Sequence, residues 1–276
     1  MTPEQIIVLA IVQGITEFLP ISSSGHLILI PAFTGWPDQG LVTDVMVHVG
    51  SLFAVLAYFW RDCLALTKGG FNLLRGRMSD DGRMALYIIL ATIPALAFGL
   101  FLKSTGLSAT LRSVHVIAWN AIIFGLLLYV ADLVGKRQKK MEEMTLPAAL
   151  QIGIAQALAL IPGTSRSGIT MTAARLLGFE RPEAARFSFL LGIPAISAAG
   201  FVTILEFVEA EQSIPSDALL AALLTFFSAL AAIALLMAIV KRTSFLIFVI
   251  YRLALGLILF ALLYDWIPGV KIDLTV

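Results

Sequence analysis

Pro20–Ile21–Ser22–Ser23–Ser24–Gly25 interrupts an apolar run that begins at residue 6, and a second apolar run, about residues 27–36, follows it. The first arm, residues 6–19, spans about 14 residues, or ~21 Å at 1.5 Å per residue. That is short of the ~30 Å hydrocarbon core of a bilayer. A short apolar arm, a polar turn and another short arm predict a re-entrant helical hairpin. Such irregular backbone survives at membrane depth only where protein or a water-filled cavity surrounds it. The pattern recurs: residues 148–161 lead into Pro162–Gly163–Thr164–Ser165–Arg166–Ser167–Gly168, and a second arm, residues 169–179, follows.

The two segments are repeats. A shift of 143 positions lays Gln13 on Gln156, and Ser22, Ser23, Ser24 and Gly25 on Ser165, Arg166, Ser167 and Gly168. Gly35–Trp36 falls on Gly178–Phe179, and one position out of phase Gly50 falls on Gly192. Six further stretches are long and apolar enough to span: about 41–60, 84–102, 114–134, 187–208, 218–240 and 245–267. Each half thus holds one hairpin and three spans. Three is odd, so the second half inserts upside down. The expected fold is an all-α polytopic membrane protein, an inverted-topology repeat with six transmembrane helices and two re-entrant helical hairpins. Residues 1–276 form one membrane domain, with repeat 1 at about 5–134 and repeat 2 at about 148–267.

Composition agrees. Of 276 residues, 59% are hydrophobic and 13% charged, and the mean hydropathy is +0.94. A water-soluble globule of this length could not hide so much apolar surface, which excludes a soluble enzyme, a disordered chain and a nucleic-acid binder. The single cysteine, Cys63, allows no intrachain disulfide. Residues 1–12 carry no Lys or Arg, so the start of the chain reads poorly as a signal peptide. Fourteen of the 19 basic residues lie in the 61–83, 135–147, 175–186 and 241–244 segments, which six spans place on one side. The other side has Lys103, Arg112 and Lys271 and the acidic loop Glu206, Glu209, Glu211 and Asp217. The basic side is expected to be cytoplasmic. Both termini then lie outside, the first hairpin enters from the outer face, and the two tips meet near mid-depth. Arg252, about five residues into the last span, is expected to snorkel.

Polar residues at such depth need a reason. The first turn offers Gln13, Glu17, Ser22, Ser23, Ser24 and His26, with Gln13 and Glu17 on one helical face. The second offers Gly163, Thr164, Ser165, Arg166, Ser167 and Thr170. Hydroxyls, free backbone N–H groups and a helix N-terminus make an anion cradle, and arginine adds a planar fork suited to phosphate. A carboxylate and a histidine nearby supply a base, a nucleophile or a metal ligand. A structural pair between Glu17 and Arg166 is the main rival reading. Asp44 and His48, four apart in the first span, read more simply as a polar face towards a water cavity.

Gln13–Gly14–Ile15–Thr16–Glu17, the Ser22–Ser23–Ser24–Gly25–His26 run and the distant Pro162–Gly163–Thr164–Ser165–Arg166–Ser167–Gly168–Ile169–Thr170 together resemble the bacterial undecaprenyl pyrophosphate phosphatases, also called bacitracin-resistance proteins. The resemblance covers essentially the whole chain. Gln13 departs from it, since many members have Glu there, and one carboxylate fewer weakens the case for a tightly held divalent ion. The resemblance implies hydrolysis of a C55 isoprenyl pyrophosphate to the monophosphate and inorganic phosphate, at the outer face of the bacterial plasma membrane. The expected roles follow. Arg166 clamps the terminal phosphoryl group. Ser22, Ser24, Gly163, Thr164, Ser165, Ser167 and Thr170 complete the phosphate cradle. His26 is the nucleophile, or the base that activates Ser23 or water. Glu17 orients His26 or, with Gln13 in support, holds a Mg²⁺ or Ca²⁺ ion. The partners implied are the polyprenyl pyrophosphate and membrane lipids, and a homodimer is compatible with the sequence. The rival function is a transporter or flippase of a polyprenyl phosphate or another anion, because inverted repeats with paired broken helices also build transporters.

Overall fold

The computed structural model describes residues 1–209 and 214–266. Over them the chain is almost wholly helical: α1 (Pro3–Phe18), α2 (Ser23–Thr34), α3 (Gly40–Tyr58), α4 (Trp60–Leu74), α5 (Asp80–Thr105), α6 (Leu107–Leu111), α7 (Val114–Val134), α8 (Leu146–Ala157), α9 (Arg166–Leu176), α10 (Arg181–Glu209), α11 (Ser216–Arg242) and α12 (Leu246–Leu263). Six of these, α3, α5, α7, α10, α11 and α12, are long and apolar enough to cross a membrane, one at each expected span. Only 33–44% of each apolar stretch is buried inside the protein. Ile89, Leu100, Leu133, Phe201, Phe227 and Leu257 point outward. That contiguous apolar exterior is tolerable only in lipid, so the chain is a multi-pass membrane protein. Glu211, Lys271 and the end of the last expected span lie outside the described residues.

The expected hairpins are two helix–turn–helix pairs built alike. Thr2 caps α1 and Thr145 caps α8, each with a proline in the first turn. Pro20 follows the end of α1, and Pro162 follows a single 3₁₀ turn, Leu158–Leu160, after α8. The chain then restarts at Ser22 and Ser165. These two residues adopt left-handed backbone, with φ of 76° and 74°, and each hydroxyl accepts the amide of the glycine three residues on, Gly25 at 3.4 Å and Gly168 at 3.1 Å. At 1.5 Å per residue the four helices are between about 16 and 24 Å long, and none reaches ~30 Å. The turns abut: Ser167 Oγ donates to Leu19 O at 3.0 Å.

The bracing of these turns differs from the expectation for Arg252. It does not snorkel; it is 1% exposed. Its guanidinium donates to Pro20 O at 3.2 Å in the first turn, to Gly163 O at 2.8 Å and Thr164 O at 3.0 Å in the second, and to Asn120 O and Ala121 O of α7. One buried arginine thus satisfies carbonyls freed where two helices break. Asn120 Nδ2 adds a 2.8 Å bond to Pro162 O. Gly163, with φ of 86°, fits because a Cβ there would lie 2.8 Å from Ile117 Cα. Asp132 closes the opposite end, accepting from Arg175, Arg181 and the Phe245 amide. Arg175 is fully buried, so it is a structural pin and not a free loop charge. The 61–83 loop also contains α4, an amphipathic helix packed on α5 with only Gly69 buried. Its charges, Arg61, Asp62 and Lys68, and its end near Gly76 keep it from forming a long apolar run.

Candidate active site

A cavity of about 360 Å³ lies where the two turns meet. Its polar end is lined by Glu17, Ser22, Ser23, Ser24, Asp44, His48, Ser165 and Arg166, and its other walls are apolar, with Leu41 and Val45 of α3 facing Ala195, Ile196 and Ala199 of α10. The N-termini of α2 and α9 both end at this cavity. Each presents first-turn amide groups without intrahelical partners and the positive end of its dipole. Ser23 and Arg166, matched by the repeat, are the first helical residues of those two helices.

Glu17 is 6% exposed and gathers four partners. Arg166 Nη2 donates to Oε1 at 2.9 Å, while Ser23 Oγ donates to Oε2 at 2.6 Å and Gln13 Nε2 does so at 3.2 Å. His48 Nε2 lies 3.4 Å from Oε2. Arg166 Nη1 also donates to Ser188 O at 3.1 Å. Gly192 on α10 makes room for the guanidinium, because a Cβ there would sit 2.7 Å from Arg166 Cζ. The result is a hydroxyl, a carboxylate and a guanidinium joined by hydrogen bonds on one wall. The second turn has no such carboxylate: Leu160 occupies the repeat position of Glu17, and neither side-chain polar atom of Gln156 has a partner.

The structure therefore brings Glu17, Ser22, Ser23, Ser24, Ser165 and Arg166 together, with Gln13 behind Glu17. It places the other expected residues elsewhere. Ser167 and Thr170 are fully buried, Ser167 bonded to Leu19 O and Thr170 to Arg166 O and the Ser188 hydroxyl. Thr164 is buried, and its hydroxyl has no partner. Gly163 serves through its carbonyl, which binds Arg252. His26 is not beside Glu17. Its Nδ1 donates to Ser22 O at 2.6 Å, and its Nε2 meets the Tyr251 hydroxyl at 2.6 Å, with the rings stacked 5.7 Å apart. It sits one turn further along α2 and faces α12. The histidine at Glu17 is His48, which from the sequence reads with Asp44 as a polar face towards a water cavity. The Asp44/His48 pair inside a span was its signal, and the register of Gly192 with Gly50 was the signal for Gly192.

The donor set does not make a cage for Mg²⁺ or Ca²⁺. Among the described residues no three of His, Cys, Asp and Glu gather to hold an ion. Gln13 Oε1 is an unpartnered acceptor; one amide oxygen beside one carboxylate falls short of the about six to eight oxygens that Ca²⁺ takes, whereas Mg²⁺ is commonly held by one or two carboxylates together with substrate phosphates.

A family model described as bacitracin resistance protein BacA matches residues 6–258. The undecaprenyl-diphosphatase of Erythrobacter litoralis is 50% identical over 283 residues, covering 95% of this chain and 99% of the relative. That of Roseobacter denitrificans is 51% identical over 267 residues, 96% of this chain and 100% of the relative. That of Alteromonas mediterranea is 50% identical and covers 94% of this chain. With the match spanning both turns, all six long apolar helices and the residues that meet at the cavity, the chain belongs to the bacitracin resistance protein BacA family.

Proposed function

We propose that this chain is a membrane enzyme that hydrolyses undecaprenyl pyrophosphate to undecaprenyl phosphate and inorganic phosphate, returning the lipid carrier to cell-wall synthesis. The observation that carries the reading is the contact of Ser23 and Arg166 with the two oxygens of Glu17 in one cavity. An anion cradle alone would serve a transporter equally well; a hydroxyl bonded to a buried carboxylate equips the site for attack. The nearby names agree, since relatives at about 50% identity are called undecaprenyl-diphosphatase.

In this reading the terminal phosphoryl group settles between the N-termini of α2 and α9, and the prenyl tail leaves along the apolar walls. Arg166 moves its fork from Glu17 to the phosphoryl oxygens, where it offsets charge in the transition state. Glu17, relieved of one donor, takes the Ser23 proton as Oγ attacks phosphorus. Ser22, Ser24 and Ser165 complete the cradle. His26 acts as a positioning residue, holding the carbonyl of the strained Ser22 through Nδ1. The two helix pairs are re-entrant hairpins of an inverted repeat. This is supported by their short helices, their matched Ser22 and Ser165 caps and the abutting turns. In this reading the site opening and both termini face the outer side of the bacterial inner membrane, which the bias of Lys and Arg to the opposite loops supports.

The decisive measurement is phosphate release from undecaprenyl pyrophosphate by the purified protein, with Arg166→Ala as control. Release that the control lacks supports hydrolysis. Absence of release, together with movement of prenyl phosphate across sealed vesicles, would replace the reading with a flippase.

A further inference from the structure

Of the two cavity-lining groups with acid–base capacity that the hydrolytic scheme above leaves unused, Asp44 and His48, it is His48 that reaches Glu17. It projects from α3, four residues after Asp44, and its side chain is 30% exposed. Its proton positions follow from its neighbours. A carbonyl oxygen only accepts, so the 2.6 Å contact between Nδ1 and Asp44 O puts a proton on Nδ1. Nε2 then faces Glu17 Oε2 at 3.4 Å. With a neutral ring and an ionised carboxylate, two lone pairs would oppose each other. The contact is attractive only when a further proton lies on Nε2 or on Glu17. Ser23 and Gln13 both donate to the same Oε2, and Nε2 is the ring position that faces the carboxylate and the cavity, from which a proton can be exchanged.

We propose that His48 is a catalytic acid–base residue of this site, delivering a proton to the departing prenyl phosphate and then drawing one from the attacking water. The proposal rests on the hydrolytic reading and completes its proton balance. In the first step the Ser23 proton passes to Glu17 and the Oγ–P bond forms. The bond from phosphorus to the bridging oxygen breaks, and its electron pair stays on the prenyl phosphate, which takes the Nε2 proton. In the second step the water oxygen bonds to phosphorus and its proton goes to the now neutral Nε2. The P–Oγ bond breaks, and Oγ recovers its proton from Glu17. Prenyl phosphate and inorganic phosphate leave, and the enzyme is as it began. The charged groups facing His48 are Glu17 from α1, Arg166 from α9 and Asp44 on its own helix. α10 and α11, also packed on α3, present uncharged residues at this level, Gly200 against Val49 and Ala222 against Gly50.

The test is phosphate release by the purified full chain carrying His48→Gln, which keeps a polar side chain but cannot transfer a proton. General acid–base groups contribute about 10²–10⁴-fold. The expected result is a fall in kcat/KM of about 10²-fold or more, with thermal unfolding unchanged. The alkaline limb of the kcat/KM profile, which reports the protonated ring in the first step, should vanish. His48→Ala should regain rate in millimolar imidazole, which decides the matter if His48→Gln fails to fold. A folded His48→Gln within about threefold of wild type, one that is slow yet keeps its alkaline limb, or a folded His48→Ala that imidazole does not restore would overturn the proposal. Failure of the wild-type protein to release phosphate would instead overturn the hydrolytic reading itself.

Discussion

Ser23 Oγ and Glu17 Oε2 are 2.6 Å apart, joined across the break between α1 and α2. Six residues separate them in sequence, and the left-handed backbone of Ser22 turns the chain back so that the hydroxyl meets the carboxylate. Ser22 and Ser24 also line the cavity, but their hydroxyls lie 3.4 Å from each other, and neither bonds to Glu17.

Ser23 should therefore carry the phosphoryl group. Ser23→Ala is expected to lose more than about 10³-fold in turnover, as removing a nucleophile does. A phosphoenzyme trapped from wild type should be stable in acid, as a phosphoserine is. His26→Ala should fall about 10²-fold through misplacement of the turn, without loss of the trapped species. An acid-labile phosphoenzyme that disappears in His26→Ala would return the nucleophile's role to the histidine.

Arg166→Lys keeps a cation but not the fork that spans Glu17 Oε1 and Ser188 O. Loss of one preorganised donor typically costs about 10²–10³-fold in kcat. Turnover should drop by that much while the unfolding temperature in detergent moves little. Near-normal phosphate release would mean that the Glu17–Arg166 pair is only structural.

Gly192→Ala tests the same group without touching it. The added methyl would lie 2.7 Å from Arg166 Cζ, so the guanidinium must move. Alanine suits a helix better than glycine does, by about 1 kcal/mol. We expect stability to hold or rise while kcat falls by tenfold or more. An active Gly192→Ala would show that Arg166 works from some other position.

Arg252→Met should destabilise the protein. Five backbone carbonyls accept from Arg252, and each buried carbonyl left unsatisfied costs about 1–3 kcal/mol. If only two stay unsatisfied the loss is about 2–6 kcal/mol. Thermal unfolding in detergent checks this, and an unchanged midpoint would mean that the turns do not need the pin.

Orientation is tested at Cys63, at the start of α4 beside the Asp62–Arg186 pair. Burial, with the Asp62 charge adding to it, pushes this thiol above its ordinary range. Thiolate is the reactive form, so labelling is slow near neutrality and quickens as pH rises. At pH 8.5 an impermeant maleimide should modify Cys63 in permeabilised cells and spare it in intact ones. Labelling in intact cells would reverse the topology.

The sequence by itself determined the six long apolar helices, the two broken helix pairs and most of the cavity's polar wall. Those features are local. Hydropathy over some twenty residues, a proline that ends a helix and a serine that caps the next act within a turn or two of themselves. Glu17, Ser23 and Arg166 were legible because each sits at such a break. What only the tertiary structure decided is how each helix is rotated about its axis and which neighbour it meets. His26 lies one turn beyond the break and faces Tyr251, while His48 arrives at Glu17 from α3, 31 residues away in sequence. Ser167 and Thr170 belong to the same motif as Arg166, yet the helical turn points them into the protein. Arg252 reads as a cation near a membrane surface until two turns and α7 close around it. In each case the partner comes from a distant segment, and packing, which no local pattern encodes, sets the distance.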